Sequence, residues 1–200
     1  MDALLIVGAY LLGAIPFGLV VGKLAGMDVR TAGSGNIGAT NVNRLLGKKL
    51  GLVTLAADMV KGILPMMAAG WLVTDPSRRE LVVVLCGAAA FLGHLFPVYL
   101  KFRGGKGVAT ALGIFLYLAP LAALSAAALF VAVVYNWGYV SLGSLTAALF
   151  MPGLVWLLYR APAPALLALG LGVLIWLKHR DNIGRLMRHE EKSWRKKEPS

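Results

Sequence analysis

The sequence predicts an all-α, polytopic integral membrane protein with seven transmembrane helices, its N-terminus outside and its C-terminus cytoplasmic. Three observations predict it. Of 200 residues 58% are hydrophobic and mean hydropathy is +0.74, more apolar surface than a soluble domain of this size can hide. The apolar residues fall in long runs rather than short alternations. The 20 Lys and Arg, which leave a formal net charge of +11, gather in the gaps between those runs.

The first run, Ala3 to Leu24, is long enough for a core of ~30 Å. It is preceded by acidic Asp2 instead of a basic n-region, so it reads as a retained span and not a signal peptide. A polar stretch, Gly26 to Lys49, leads to a second span at Leu50 to Val73. The turn Asp75-Pro76-Ser77-Arg78-Arg79 precedes a third span, Leu81 to Leu100. After Gly104-Gly105-Lys106-Gly107 the chain is apolar from Val108 to Tyr135, interrupted by Pro120. A polar patch, Asn136 to Ser144, then precedes spans at Leu145 to Tyr159 and Ala165 to Leu177, parted by the breaker Ala161-Pro162-Ala163-Pro164. A basic tail occupies about 178–200.

Length does not decide whether Val108–Tyr135 is one helix or two. One helix would reach ~42 Å, too long without strong tilt, and the half before Pro120 is only ~18 Å. Charge decides. With two helices, sixteen Lys and Arg face the cytoplasm and three (Arg78, Arg79, Arg160) face outward; with one, the balance is nine against ten. The positive-inside rule selects two, and so seven spans. The half-helix after Lys106 is then short or partly re-entrant, its N-terminus in a polar cavity. All four polar stretches (26–49, 101–107, 136–144 and 178–197) fall on one face.

On a soluble domain a charge of +11 points to nucleic acid. Interleaved with spans it points to an anionic leaflet and small anions, so no nucleic-acid partner is expected. The single cysteine, Cys86, excludes an intrachain disulfide and a cysteine-built metal site.

Chemistry-bearing residues concentrate in three stretches. In 104–107, glycines allow several backbone N–H groups to turn together, a following helix offers its positive end, and Lys106 adds an ammonium: a phosphate cradle. It is not a Walker loop, because Gly107 follows the lysine where a hydroxyl is needed. The bland reading is a glycine-rich turn with a snorkelling lysine.

In Gly33-Ser34-Gly35-Asn36-Ile37-Gly38-Ala39-Thr40-Asn41-Val42-Asn43-Arg44, glycines permit close approach. Ser34, Asn36, Thr40 and Asn41 offer neutral hydrogen bonds, and Arg44 offers a fork for phosphate. A flexible loop is the alternative. In His179-Arg180-Asp181-Asn182-Ile183-Gly184-Arg185, a helix would place His179, Asn182 and Arg185 on one face. A lipid-anchoring basic segment needs neither His179 nor Asn182.

His94 reads equally as a structural histidine or a positioning residue beside the cradle. Ser141 and Ser144 read as a helix cap. Asp58 and Lys61, at i, i+3 within a span, read as an ion pair or as part of a site.

Taken together, Gly33–Arg44, Gly-His-Leu-Phe-Pro at 93–97 with Lys-Phe-Arg-Gly-Gly-Lys-Gly-Val-Ala-Thr at 101–110, and His-Arg-Asp-Asn-Ile-x-Arg-Leu at 179–186 resemble the acyl-phosphate-dependent glycerol-3-phosphate acyltransferases of bacteria, the PlsY type. Asp58-x-x-Lys61-Gly62 also fits, and the resemblance covers nearly the whole chain. The tail departs from the pattern. Met187-Arg188-His189-Glu190-Glu191 lacks the family's glycine before its glutamate, so neither Glu190 nor Glu191 receives a role.

The resemblance implies one membrane-embedded acyltransferase domain over 1–200, in the bacterial cytoplasmic (inner) membrane with its active site facing the cytoplasm. It implies transfer of a fatty acyl group from acyl phosphate to the 1-hydroxyl of sn-glycerol 3-phosphate, giving lysophosphatidate and phosphate, the first acylation of phospholipid synthesis. No metal, cofactor, acyl-CoA or obligate protein partner is implied. The His-x-x-x-x-Asp signature of other acyltransferases is absent, with Tyr99 and Gly184 five residues beyond His94 and His179.

On matching positions, Ser34, Lys106, His179 and Asn182 are expected in catalysis. Gly33, Gly35, Asn36, Thr40, Asn41, Arg44, His94, Gly104, Gly105, Gly107, Ser141 and Ser144 are expected in binding. The cradle would take the acyl phosphate, Ser34 and Asn36 the reacting carbonyl, and Arg44 with Ser141 and Ser144 the glycerol phosphate. An organic-phosphate transporter is the rival reading, since broken helices aimed at anions occur there too, and a lipid-binding scaffold is a third. The clustering of polar motifs at one face, without internal repeats, favours the enzyme.

Overall fold

The computed structural model describes residues 1–195; Lys196 and Lys197 of the basic tail lie outside the described residues. Among the described residues every regular element is helical. The chain clusters into two compact units, Met1–Tyr117 and Leu118–Ser200.

The first unit begins with α1 (Asp2–Gly13) and α2 (Phe17–Leu24), which replace the unbroken run expected from the sequence. Pro16 has no N–H and fixes its own φ, so the helix restarts there. The polar stretch that follows contains an unforeseen helix, α3 (Ala39–Leu46). Next come α4 (Lys48–Leu72) and α5 (Pro76–Leu95). The latter starts five residues ahead of the expected span because Asp75 caps it, accepting from the Ser77 N–H at 3.0 Å, with Pro76 suited to the first helical position. After a 3-10 turn (Val98–Leu100) and the glycine segment, α6 (Val108–Leu118) closes the unit.

Within this unit α1 and α4 pack on α5, and α2 and α3 pack on α4. The α1–α2 break is tied to α4 through Lys61, whose ammonium donates to the Ile15 carbonyl at 2.8 Å and lies 5.7 Å from the Phe17 ring centroid. The same ammonium stands 2.8 Å from Asp58 Oδ1, an ion contact without hydrogen-bond alignment. Both side chains are almost fully buried, at 2% and 3% exposure, so the pairing is what makes two charges tolerable inside a span.

The second unit opens with α7 (Pro120–Trp137), so the apolar stretch does divide at Pro120, with Ala119 between the helices. α8 (Val140–Tyr159) begins five residues before the expected span and absorbs Ser141 and Ser144 into its first turns. Ser144 Oγ donates back to the Val140 carbonyl at 2.9 Å, so neither serine caps the helix. α9 (Pro162–Lys178) bends by 60° into α10 (Arg180–Met187). α8 packs on α7 and α9, and α10 rests on both α8 and α9.

By length and composition five stretches suit a bilayer crossing: Asp2–Leu24, Lys48–Leu72, Pro76–Leu100, Pro120–Trp137 and Val140–Tyr159. The bent pair α9–α10 brings the number to six, and α6, with 11 residues, is shorter than a span.

Candidate active site

In the first unit the loop before α3 is built around one amide. Asn41, 1% exposed, accepts the Ser34 N–H at 2.9 Å and donates to the carbonyls of Val29 (2.9 Å) and Ala32 (3.3 Å). Gly33 has φ +64, and a Cβ there would run into Asn41 Oδ1, so glycine is required. Asn36 accepts the Gly38 N–H at 2.9 Å and turns the chain into α3. This scaffold leaves Ser34, Thr40 and Arg44 exposed.

Two cations of this region differ in kind. Arg30 is held by Asp28, with Nη2 2.6 Å and Nε 2.9 Å from its carboxylate oxygens, and that side-chain bond lowers the Asp28 carboxyl to about 2. Arg44 stands exposed in the last turn of α3.

The glycine segment is pinned to the end of α5. Gly104 and Gly105 donate to the carbonyls of Leu95 (3.2 Å) and His94 (3.1 Å). The loop before them turns sharply, with Lys101 at φ 51 and Phe102 at φ 63. Gly107 has φ +84 and leads straight into α6, whose first-turn amides have no intrahelical acceptors. Lys106 is half-buried between them. The His94 ring, 5% exposed, lies beneath: a Cβ on Gly105 would occupy the place of its Nε2 edge. Its Nδ1 is 3.2 Å from Thr110 Oγ1 and 3.7 Å from Asp58 Oδ1.

In the second unit α10 carries Asn182 and Arg185, and His179 precedes it at the bend from α9. His179 is 3% exposed, with Nδ1 2.8 Å from the Ile175 carbonyl, a geometry that places a proton on Nδ1. The residue that sequence reasoning missed is Glu191. Its Oε1 accepts from Ser141 Oγ (2.7 Å) and Asn182 Nδ2 (2.6 Å), and its Oε2 from Arg185 Nε (2.7 Å). Burial works against the carboxylate charge, but these three donors outweigh it and hold the carboxyl below the ordinary glutamate range. The family's tail glutamate was the one available signal. Among the described residues no cluster of His, Cys, Asp or Glu suits a metal ion.

A family model for glycerol-3-phosphate acyltransferases matches residues 3–189. A glycerol-3-phosphate acyltransferase of Desulfotalea psychrophila is 54% identical over 98% of this chain and all of its own length. One from Geotalea daltonii is 49% identical over 92% of this chain and 93% of its own. Among solved structures, PlsY (YgiH), an integral membrane glycerol 3-phosphate acyltransferase in its glycerol 3-phosphate form, aligns with a TM-score of 0.89 at 39% identity. That alignment covers 96% of this chain and 95% of the other. The same protein in its lysophosphatidic acid form gives 0.87. With an all-helical structure, spans of membrane length and a model match over nearly its full extent, the chain belongs to the glycerol-3-phosphate acyltransferase family of integral membrane proteins.

Proposed function

We propose that the protein transfers a fatty acyl group from acyl phosphate to the 1-hydroxyl of sn-glycerol 3-phosphate, releasing 1-acyl-sn-glycerol 3-phosphate and phosphate. The observation that carries the reading is the turn at Gly104–Gly107, pinned to α5 through the Gly104 and Gly105 amides, which sets Lys106 directly ahead of the first-turn amides of α6. A likeness to PlsY in its glycerol 3-phosphate form supports the acceptor.

The donor is an activated mixed anhydride whose phosphate leaves without strong acid assistance. The protein's work is therefore to position two anions and to stabilise a developing oxyanion. Lys106 and the first-turn amides of α6 hold the acyl phosphate, Gly104, Gly105 and Gly107 shape the turn that presents them rather than binding it through the Gly104 and Gly105 amides, and Ser34 and Asn36 lie at the reacting carbonyl. Arg44 takes glycerol phosphate, and Gly33, Gly35 and Thr40 line its approach. Asn41 acts through the loop it holds, and His179 and Asn182 are assigned to orienting the donor or stabilising the oxyanion.

The glycerol oxygen attacks the carbonyl carbon, the bond from that carbon to the phosphate oxygen breaks, and the departing phosphate takes the hydroxyl proton. No side chain is needed as general base. In this reading the chain crosses the inner membrane seven times, α6 included, with the N-terminus outside and the site facing the cytoplasm, as the charge distribution requires.

Kinetics of purified Lys106→Ala and Arg44→Ala test the assignment. Each is expected to raise the KM of its own phosphate substrate at least tenfold in a protein that elutes and melts like wild type. Full turnover with unchanged KM in Lys106→Ala would remove the cradle.

A further inference from the structure

The buried cluster Asp58–His94–Thr110 takes no direct part in the chemistry above, yet it lies directly behind the cradle. Three helices supply it: α4 carries Asp58, α5 carries His94, and α6 carries Thr110. All three residues are buried. A single imidazole nitrogen, His94 Nδ1, faces both the Thr110 hydroxyl at 3.2 Å and the Asp58 carboxylate at 3.7 Å. A carboxylate on that side favours a proton on Nδ1, and the hydroxyl fixes the plane of the ring. The opposite edge of the ring then abuts Gly105, whose own N–H bonds the His94 carbonyl at 3.1 Å.

Residue 94 thus touches the chain on both sides of Lys106, at Gly105 before it and at Thr110 after it. The four residues between those contacts are held from behind by one ring. Lys61 completes the cluster, its ammonium 2.8 Å from Asp58 Oδ1.

We propose that Asp58, His94 and Thr110 form a positioning device that sets the register of the 104–107 segment against its bound phosphate, a role that rests on reading this segment as the phosphate site. None of the three touches substrate; they act through the backbone they brace. Substrate affinity should therefore suffer more than turnover once the brace is loosened.

The test uses isosteric changes in the full-length protein. Thr110→Val keeps the shape and deletes the hydroxyl; Thr110→Ser keeps the hydroxyl and deletes a methyl group. Thr110→Val should raise the KM for acyl phosphate roughly tenfold, the equivalent of one lost hydrogen bond, with kcat within about twofold of wild type. Thr110→Ser should restore the wild-type KM. A packing role would show the reverse order, with Thr110→Ser the worse variant and the change appearing in thermal midpoint.

Should Thr110→Val not yield monodisperse protein, His94→Gln carries the same expectation of a raised KM. A rise on glycerol phosphate in place of acyl phosphate supports the brace and reassigns the cradle's occupant. Wild-type KM for both substrates in Thr110→Val, beside an impaired Lys106→Ala, overturns the brace alone. An unimpaired Lys106→Ala removes the phosphate site and the brace with it.

Discussion

The Glu191 carboxylate lies 2.6 Å from the Asn182 amide nitrogen, and through the same oxygen it also holds the Ser141 hydroxyl. A tail residue thereby links α8 to α10, and Arg185 closes the arrangement on the second oxygen. The expected positions of Asn182 and Ser141 depend on an anion that neither supplies.

Replacing Glu191 by Gln keeps the shape and removes the charge that three donors share. Hydrogen bonds to a charged group contribute ~1.5–3 kcal/mol each. Glu191→Gln is expected to lower the thermal midpoint in detergent and to reduce kcat/KM at least tenfold. Parallel melting and initial-rate measurements check it; a variant with wild-type rates would show that Asn182 and Ser141 are placed without it.

The same carboxylate sets an acid limit. Its folded-state value lies below the ordinary 4.5, so its contribution to stability is fully present above pH 4.5 and is lost as pH falls through the lowered folded value. The difference in melting temperature between wild type and Glu191→Gln should stay constant from about pH 8 to pH 5. Below pH 4.5 it should shrink. A difference that grows on acidification would contradict the sign.

Gly105 leaves no room for a side chain, because a Cβ would displace the His94 ring. Gly105→Ala is expected to raise the KM for acyl phosphate by tenfold or more. At Gly8 nothing lies within 4 Å of an added Cβ, so Gly8→Ala serves as the neutral control. Equal kinetics for the two variants would show that the segment is not fitted against His94.

The Asp58–Lys61 pair separates stability from affinity. Removing one member of a buried pair leaves an uncompensated charge, at a cost of ~3–5 kcal/mol, whereas replacing both by apolar residues is often neutral. Lys61→Met and Asp58→Leu should each lower the thermal midpoint, and the double variant should recover much of it. The KM for acyl phosphate should stay raised in the double variant, because the carboxylate beside His94 is still missing. Full recovery of KM would limit Asp58 to the ion pair.

What could be read from the sequence was what depends on local chemistry. The charge balance between the two sides selects a division of the long apolar run at Pro120, a residue without an N–H, and the structure divides there. Three glycines around Lys106 announce a turn into a helix, and α6 follows at Val108. The spacing of Asn182 and Arg185 suits one face of a helix, and on α10 both meet Glu191, whereas His179 falls at the bend before that helix.

Tertiary relations were not legible. α3 lies in a stretch too polar to signal a span by hydropathy, and what its short apolar face packs on, α4, is a tertiary relation. The break at Pro16 hides inside a continuous apolar run, where Lys61, 46 residues away, supports the Ile15 carbonyl. Asn41 reads as a substrate donor until its amide is seen holding Val29, Ala32 and Ser34. Glu191 meets Ser141 across 50 residues of chain, which no local pattern encodes.

The most direct test is to mix purified wild-type protein with acyl phosphate and glycerol 3-phosphate, without metal or coenzyme A, and to follow phosphorus resonances. One inorganic phosphate appearing for each lysophosphatidate formed, with acyl-CoA unable to replace the donor, is the expected result. Acyl-CoA serving as donor, or phosphate released without lysophosphatidate, would contradict it.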